Sequence, residues 1–244
     1  MNLNNDFEKN KKQLQVSEAI QKVKNNYLVK NTIGQLIRLI PAFGPLLDDS
    51  IDATLTEFQE AKREELLSII SKDIGDITTD MVNNVEFIMN FAKTLEAVNR
   101  LSSNDKVKYF ATMLKNGYLV DNPMSTDEFD EYLFNLSMLS YRQINLLIDL
   151  FIHEKNNVSE YVDDESKKDN KLASRSGQWG VFIDMATSKY NLTKEEVVAI
   201  FSGISKTGFC AEVVGTYLGY TGGVFYITSS CEKFVKMITG GLYE

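Results

Sequence analysis

The sequence predicts a mainly α-helical protein. Its N-terminal region is helical and carries an apolar αα-hairpin; its C-terminal domain is helical and carries one small β-hairpin. Three observations predict this. Only 3 prolines and 14 glycines interrupt 244 residues, so long helices are permitted almost everywhere. Apolar residues recur at helical spacing over most of the chain. The β-rich runs, by contrast, are two short ones that flank a glycine turn.

Residues 1–15 are polar and bear Lys9, Lys11 and Lys12, the pattern of a flexible arm. From Val16 the pattern is helical, with Ile33, Leu36, Ile37 and Ile40 on one face. Pro41-Ala42-Phe43-Gly44-Pro45 then breaks the helix in a tight turn. Asp48, Asp49 or Ser50 caps the next helix, whose apolar positions include Ile51, Leu55, Phe58, Leu66, Ile69 and Ile70. The tip of this αα-hairpin carries Leu36, Ile37, Leu39, Ile40, Phe43, Leu46 and Leu47. Leaving seven such side chains in water would cost about 10 kcal/mol or more, so the tip is a candidate interaction surface. It is too short to span a bilayer, which takes roughly 20 apolar residues, and it contains Arg38.

Asp80 is expected to open a further helix with Met81, Val85, Ile88, Ala92 and Leu95 on one face. Phe87, Phe91 and Val98 line a second face, so this helix should be sandwiched between others. Ser103 is expected to cap a helix through Val107, Phe110, Ala111 and Leu114 that ends near Gly117. Asp121-Asn122-Pro123 marks a domain boundary, dividing a helical domain over 16–120 from a second domain over 125–244.

The second domain is punctuated by capping boxes, in which a hydroxyl caps a helix start and an acid or amide three residues later reaches back. Four pairs fit: Ser125 with Glu128, Ser140 with Gln143, Thr193 with Glu196, and Ser229 with Glu232. The charged stretch from Glu154 to Arg175 reads as a loop, with the helix bearing Trp179, Phe182, Ile183 and Met185 beginning near Gly177 and ending near Lys189. That helix meets the Thr193 helix across Tyr190-Asn191-Leu192, which is helix-turn-helix spacing. Strands are expected over 211–218 and 224–228, around Gly222-Gly223, and lead into a last helix with Phe234, Val235 and Ile238.

This order of helix, short turn, helix ending in Lys206-Thr207-Gly208-Phe209, hairpin, and Tyr226-Ile227-Thr228 into a final helix resembles the winged-helix superfamily over residues 127–240. The resemblance implies a winged-helix-like domain in which the Thr193 helix is the recognition helix. The whole chain, with its hairpin broken at Pro41 and Gly44-Pro45, also resembles bacterial helical proteins associated with phage defence. What that implies is an antiviral role.

Composition narrows the chemistry. The net charge is −8, and residues 127–244 hold 11 basic against 17 acidic side chains, a poor match to a phosphate backbone. Two cysteines, Cys210 and Cys231, are too few for a disulfide framework, and no apolar run opens the chain, so a cytoplasmic protein is expected, with peripheral binding at the inner face of a membrane as the alternative. A single histidine, His153, leaves no imidazole-based triad or zinc set. Asp48, Asp49 and Asp52 read as helix caps and not as a cation site, and Asp163-Asp164-Glu165 reads as a solvated loop. Ser103-Asn104-Asp105-Lys106 and Lys206-Thr207-Gly208 match two elements of the penicilloyl-serine signature, but the third is missing and the latter reads as a helix C-cap. Neither phosphate-cradling glycine motif occurs. No catalytic residue, cofactor or metal is therefore expected.

The candidate recognition helix presents Lys194, Ser202, Ser205 and Lys206 outward, beside Glu195 and Glu196. It offers no Arg, Asn or Gln for a bidentate base contact. Protein partners or self-association are therefore expected over nucleic acid, with a membrane as a further partner through residues 36–47. Three functions stay open: a non-enzymatic interaction or regulatory protein that oligomerises through its helices, a membrane-acting effector that inserts the tip, and a DNA-binding regulator.

Overall fold

A computed structural model describes residues 53–73, 84–118, 124–157, 168–213 and 222–241. The apolar tip at 36–47, the N-terminal arm, Asp48, Asp49, Ser50, Asp80 and Asp163-Asp164-Glu165 lie outside these residues. Among the described residues the protein is mainly helical, with one small antiparallel sheet. The helices are α1 (Ala53–Asp73), α2 (Val85–Asn99), α3 (Val107–Tyr118), α4 (Thr126–Met138), α5 (Tyr141–Asn157), α6 (Lys168–Tyr190), α7 (Lys194–Ile204) and α8 (Ser229–Thr239). A 3-10 turn at Ser205–Thr207 and strands β1 (Cys210–Glu212) and β2 (Phe225–Ile227) lie between α7 and α8. No described helix is long and apolar enough to cross a membrane. The chain divides into two compact units, Met1–Leu133 and Phe134–Glu244, and the division falls inside α4.

In the first unit α1, α2 and α3 pack on one another. Both apolar faces expected of α2 are buried: Ile88 and Leu95 on the first, Phe87, Phe91 and Val98 on the second. Asn84 caps this helix, its side chain accepting from the amides of Glu86 and Phe87, so the described start is Val85. The ring of Tyr118 sits edge-on to Phe87 and tilted against Phe129. The Asn90 amide donates to the Tyr118 hydroxyl.

Ser103 does not cap α3. The chain first turns at Asn104, where the Val107 amide donates to the Asn104 carbonyl at 2.9 Å, and the helix begins at Val107. A backbone turn satisfies the Val107 amide, and the helix starts three residues later than a Ser103 cap would set it.

The second unit is arranged around α5, which packs on α6, α7, α8 and β2. Its centre is aromatic. Trp179 stacks on Phe182 at 5.3 Å, meets Phe201 edge-on at 5.1 Å and tilts against Phe225 at 5.4 Å. Such pairs prefer offset or edge-on contact because ring faces are electron-rich and ring edges are not. Phe209 and Phe234 form a second stack, 4.1 Å between centroids, beneath α8.

The capping boxes are drawn as expected at Ser140–Gln143 and Thr193–Glu196, where side chain and backbone exchange bonds in both directions. At Ser125 the hydroxyl accepts from the Glu128 amide. The fourth box is shifted by one residue. Thr228 and not Ser229 caps α8: it has extended dihedrals and accepts from the Cys231 amide. Its hydroxyl also donates to the carbonyl of Gly208 at 2.7 Å, so Thr228 ties the helix start to the chain entering β1. Two adjacent hydroxyls made the register ambiguous, and this second bond decides it.

The charged stretch 154–175 is not a loop throughout. α5 continues to Asn157, and α6 already begins at Lys168, nine residues before Gly177. Lysine and glutamate are good helix formers, so charge density alone does not end a helix. The described strands have three residues each, paired Cys210 to Ile227, Ala211 to Tyr226 and Glu212 to Phe225, and residues 214–218 of the first expected strand lie outside the described residues. One further bond, Val213 to Val224, extends the ladder.

Candidate functional site

The helix-turn-helix of the second unit is built by local rules. α6 ends where Asn191 takes a left-handed conformation (φ 53°), and the Leu192 amide returns to the Thr187 carbonyl at 3.1 Å. Asparagine is among the few non-glycine residues that enter that region at low cost. Thr193 then caps α7, and Gly208 (φ 78°) closes the 3-10 turn that follows it. Lys206-Thr207-Gly208 is thus a helix terminus, as its spacing predicts.

The four candidate residues of α7 and its extension fall on the outer side of this motif, but most are engaged locally. Lys194 is ion-paired with Asp184 at 2.8 Å. The Ser202 hydroxyl donates to the Val198 carbonyl and the Ser205 hydroxyl to the Ser202 carbonyl, both within their own helical turn. Lys206 is exposed in the 3-10 turn. Glu195 and Glu196 are exposed at the start of α7, with Glu196 held by its capping bond. The outer side of α7 and its extension therefore presents Glu195 and Glu196, Lys194 paired with Asp184, an exposed Lys206 and small side chains.

A shallow cleft lies between α5, α6 and β2, lined by Leu150, His153, Glu154, Gln178, Trp179, Phe225 and Tyr226. His153 donates from Nε2 to the Gln178 carbonyl at 3.1 Å, since a carbonyl only accepts. Glu154 accepts from the Ile227 amide at 3.1 Å and anchors β2 to α5. His153 and Glu154 thus hold the fold together, and Gln178 and the Tyr226 hydroxyl are the other polar side chains of the lining.

Cys210 and Cys231 flank the hairpin and both are buried. Burial, with the Glu154 carboxylate as a lesser cause, pushes the Cys210 thiol up to about 12. Burial first, then Cys210, Glu154 and Glu232, raises Cys231 as well. Burial thus favours the protonated form of both thiols. Among the described residues no group of three or more His, Cys, Asp or Glu is placed to hold a metal ion.

Residue patterns alone did not single out the outer face of α4. Phe134 and Met138, one turn apart, are 64% and 68% exposed, although each is a large apolar side chain. Their neighbours Phe129, Tyr132, Leu133 and Leu136 take the buried side. The signal was present in the sequence: α4 carries apolar residues on both sides. A second exposed pair, Val181 and Met185, lies on α6.

No known family, curated protein or solved structure matches this chain.

Proposed function

We propose that the chain is a non-enzymatic interaction protein whose C-terminal unit, a winged-helix-like module, contacts proteins and not DNA. The observation that carries this reading is the outer side of α7. In a DNA-reading module that helix presents cations to phosphate and amide or guanidinium groups to base edges. Here its exposed first turn is acidic at Glu195 and Glu196, Lys194 is spent on Asp184, and the Ser202 and Ser205 hydroxyls bond to their own helix. The arrangement repels phosphate and has no reader of bases. Exposed Phe134, Met138, Val181 and Met185 supply the apolar contacts on which protein interfaces depend. A setting in bacterial defence against phage rests on the whole-chain resemblance alone.

Fluorescence anisotropy against pooled duplex DNA tests the reading. We expect weak binding at low salt that disappears at physiological salt without sequence preference. Retention of one sequence at physiological salt, lost on Lys206→Ala, would replace this reading with that of a DNA-binding regulator.

A further inference from the structure

α6 carries two glycines, Gly177 and Gly180, on its exposed side. Glycine weakens a helix interior relative to alanine, so its presence there asks for a reason. Neither residue takes a positive φ, and a Cβ added at either would meet nothing within 4 Å. Neither the backbone nor the described packing therefore calls for glycine. The same side carries Val181, 62% exposed, and Met185, 37% exposed. Gly177, Val181 and Met185 thus form one ridge at intervals of four. The ridge has a hollow at one end, a long flexible knob at the other and a short branched side chain midway. Gln178 and Asp184 flank it, each three residues from Val181. All of these residues lie within the C-terminal unit.

We propose that this ridge packs antiparallel on the same ridge of a second copy of the chain, about a twofold axis through Val181. A twofold interface joins one surface to itself, so that surface must carry its own complement. This ridge does. Positions equally far before and after Val181 face each other across the axis. Met185 enters the hollow at the partner subunit's Gly177, and Val181 meets its own equivalent. The Gln178 amide donates to the carboxylate of the partner subunit's Asp184. A parallel copy has none of these matches: it sets Met185 on Met185, leaves a void between the glycines and brings Asp184 against Asp184. A charged helix of another protein finds little to hold. Among the five residues only Asp184 is ionisable, and Lys194 neutralises it at 2.8 Å. One helix pair is a small contact, so the dimer is weak and exchanges readily. The proposal rests on the interaction-protein reading and names its partner.

The test uses the full chain. Sedimentation equilibrium should show monomer and dimer exchanging as concentration rises over about a hundredfold range. Met185→Ala removes the knob and Gly177→Met fills the hollow, and each should weaken the dimer by about tenfold or more, as central contacts do. In dilute solution Gly177→Met should melt no lower than the parent, because methionine is the better helix former and its Cβ meets nothing. That readout separates loss of the dimer from loss of the fold. The exchange Gly177→Met with Met185→Gly moves the knob to the other end and should restore the dimer, which only a second copy of the same chain can do. Cross-linking reads the geometry directly. Both native cysteines are buried, so an introduced thiol is the accessible one. Val181→Cys should form a disulfide-linked dimer under mild oxidation. Ser188→Cys should not, since its equivalents would stand about 20 Å apart across the axis. If a variant at 177 or 185 melts early, the two cysteine variants decide. A parent that stays monomeric, a dimer indifferent to Met185→Ala, an exchange that fails to restore it, or equal cross-linking at 181 and 188 overturns the proposal. Those results leave the DNA-binding measurement untouched, so they overturn the dimer face without overturning the reading beneath it.

Discussion

The ammonium of Lys62 donates to the main-chain carbonyl of Asn99 at 3.0 Å, from a side chain that is 1% exposed. It also donates to the Leu101 carbonyl at 2.6 Å. A cation thus sits at the C-terminus of α2, where the last carbonyls lack helical partners and the dipole favours positive charge. Arg63 supports the same end by donating to the Asn99 side chain. Burial, then the nearby Arg63 charge, lowers the Lys62 pKa. Lys62→Met keeps the volume but strands two carbonyls. It should destabilise the first unit by about 2 kcal/mol, the range for hydrogen bonds to charged groups. Urea unfolding followed by circular dichroism measures this, and an unchanged midpoint would mean that water replaces the ammonium.

Lys106 is buried too, but its prediction has the opposite sign. Desolvation pushes its ammonium down to about 8, and it lies 5.6 Å from the Phe110 ring centroid. A lysine whose folded pKa lies below its unfolded value penalises the native state wherever the unfolded chain is protonated and the folded one resists. That penalty is complete below about pH 8 and vanishes as pH rises towards 10.5. Lys106→Met should therefore be more stable than the parent at pH 7, by about 2 kcal/mol after allowance for solvent screening. The gap should close between pH 8 and 10. A gap that is constant with pH would assign the effect to packing.

Helix starts in the second unit can be tested residue by residue. Thr193→Ala, Ser140→Ala and Thr228→Ala should each cost about 1 kcal/mol through a lost cap. Ser229→Ala should cost little, because Ser229 is already inside α8. Equal losses at Thr228 and Ser229 would contradict the cap assignment.

The two thiols should be inert in the folded protein. Both are buried and both titrate well above neutrality. Labelling with an aromatic disulfide at pH 8 is expected to proceed only at the rate of unfolding, and to reach two thiols at once in denaturant. Rapid native labelling of either would show that the hairpin opens locally.

Much of the fold was legible because its rules are local. The Thr193–Glu196 and Ser140–Gln143 boxes involve residues three apart, and the Gly208 terminus needs only its own backbone freedom. The Ser229 cap and the Ser103 cap failed for the opposite reason. Thr228 was selected over Ser229 by a bond to Gly208, 20 residues away, and the helix after Ser103 starts only at Val107, behind a turn whose geometry composition does not encode. The 154–175 stretch shows the limit of charge as a signal, since Lys168–Arg175 are helical despite their polarity.

The sequence by itself determined the helical class, the helix-turn-helix spacing and the poverty of α7 in base-reading groups, because periodicity, caps and side-chain inventory are properties of short segments. Tertiary structure alone decided which side of a doubly apolar helix meets the core. Phe129 and Leu136 on α4 are buried while Phe134 and Met138 are exposed, though all four are large hydrophobes. It also decided that Lys62 and Lys106 are interior and that Lys194 is bound to Asp184. The physical reason is common to these cases: burial and pairing depend on neighbours distant in sequence, and a residue's type states what it can bond to without stating what it will meet.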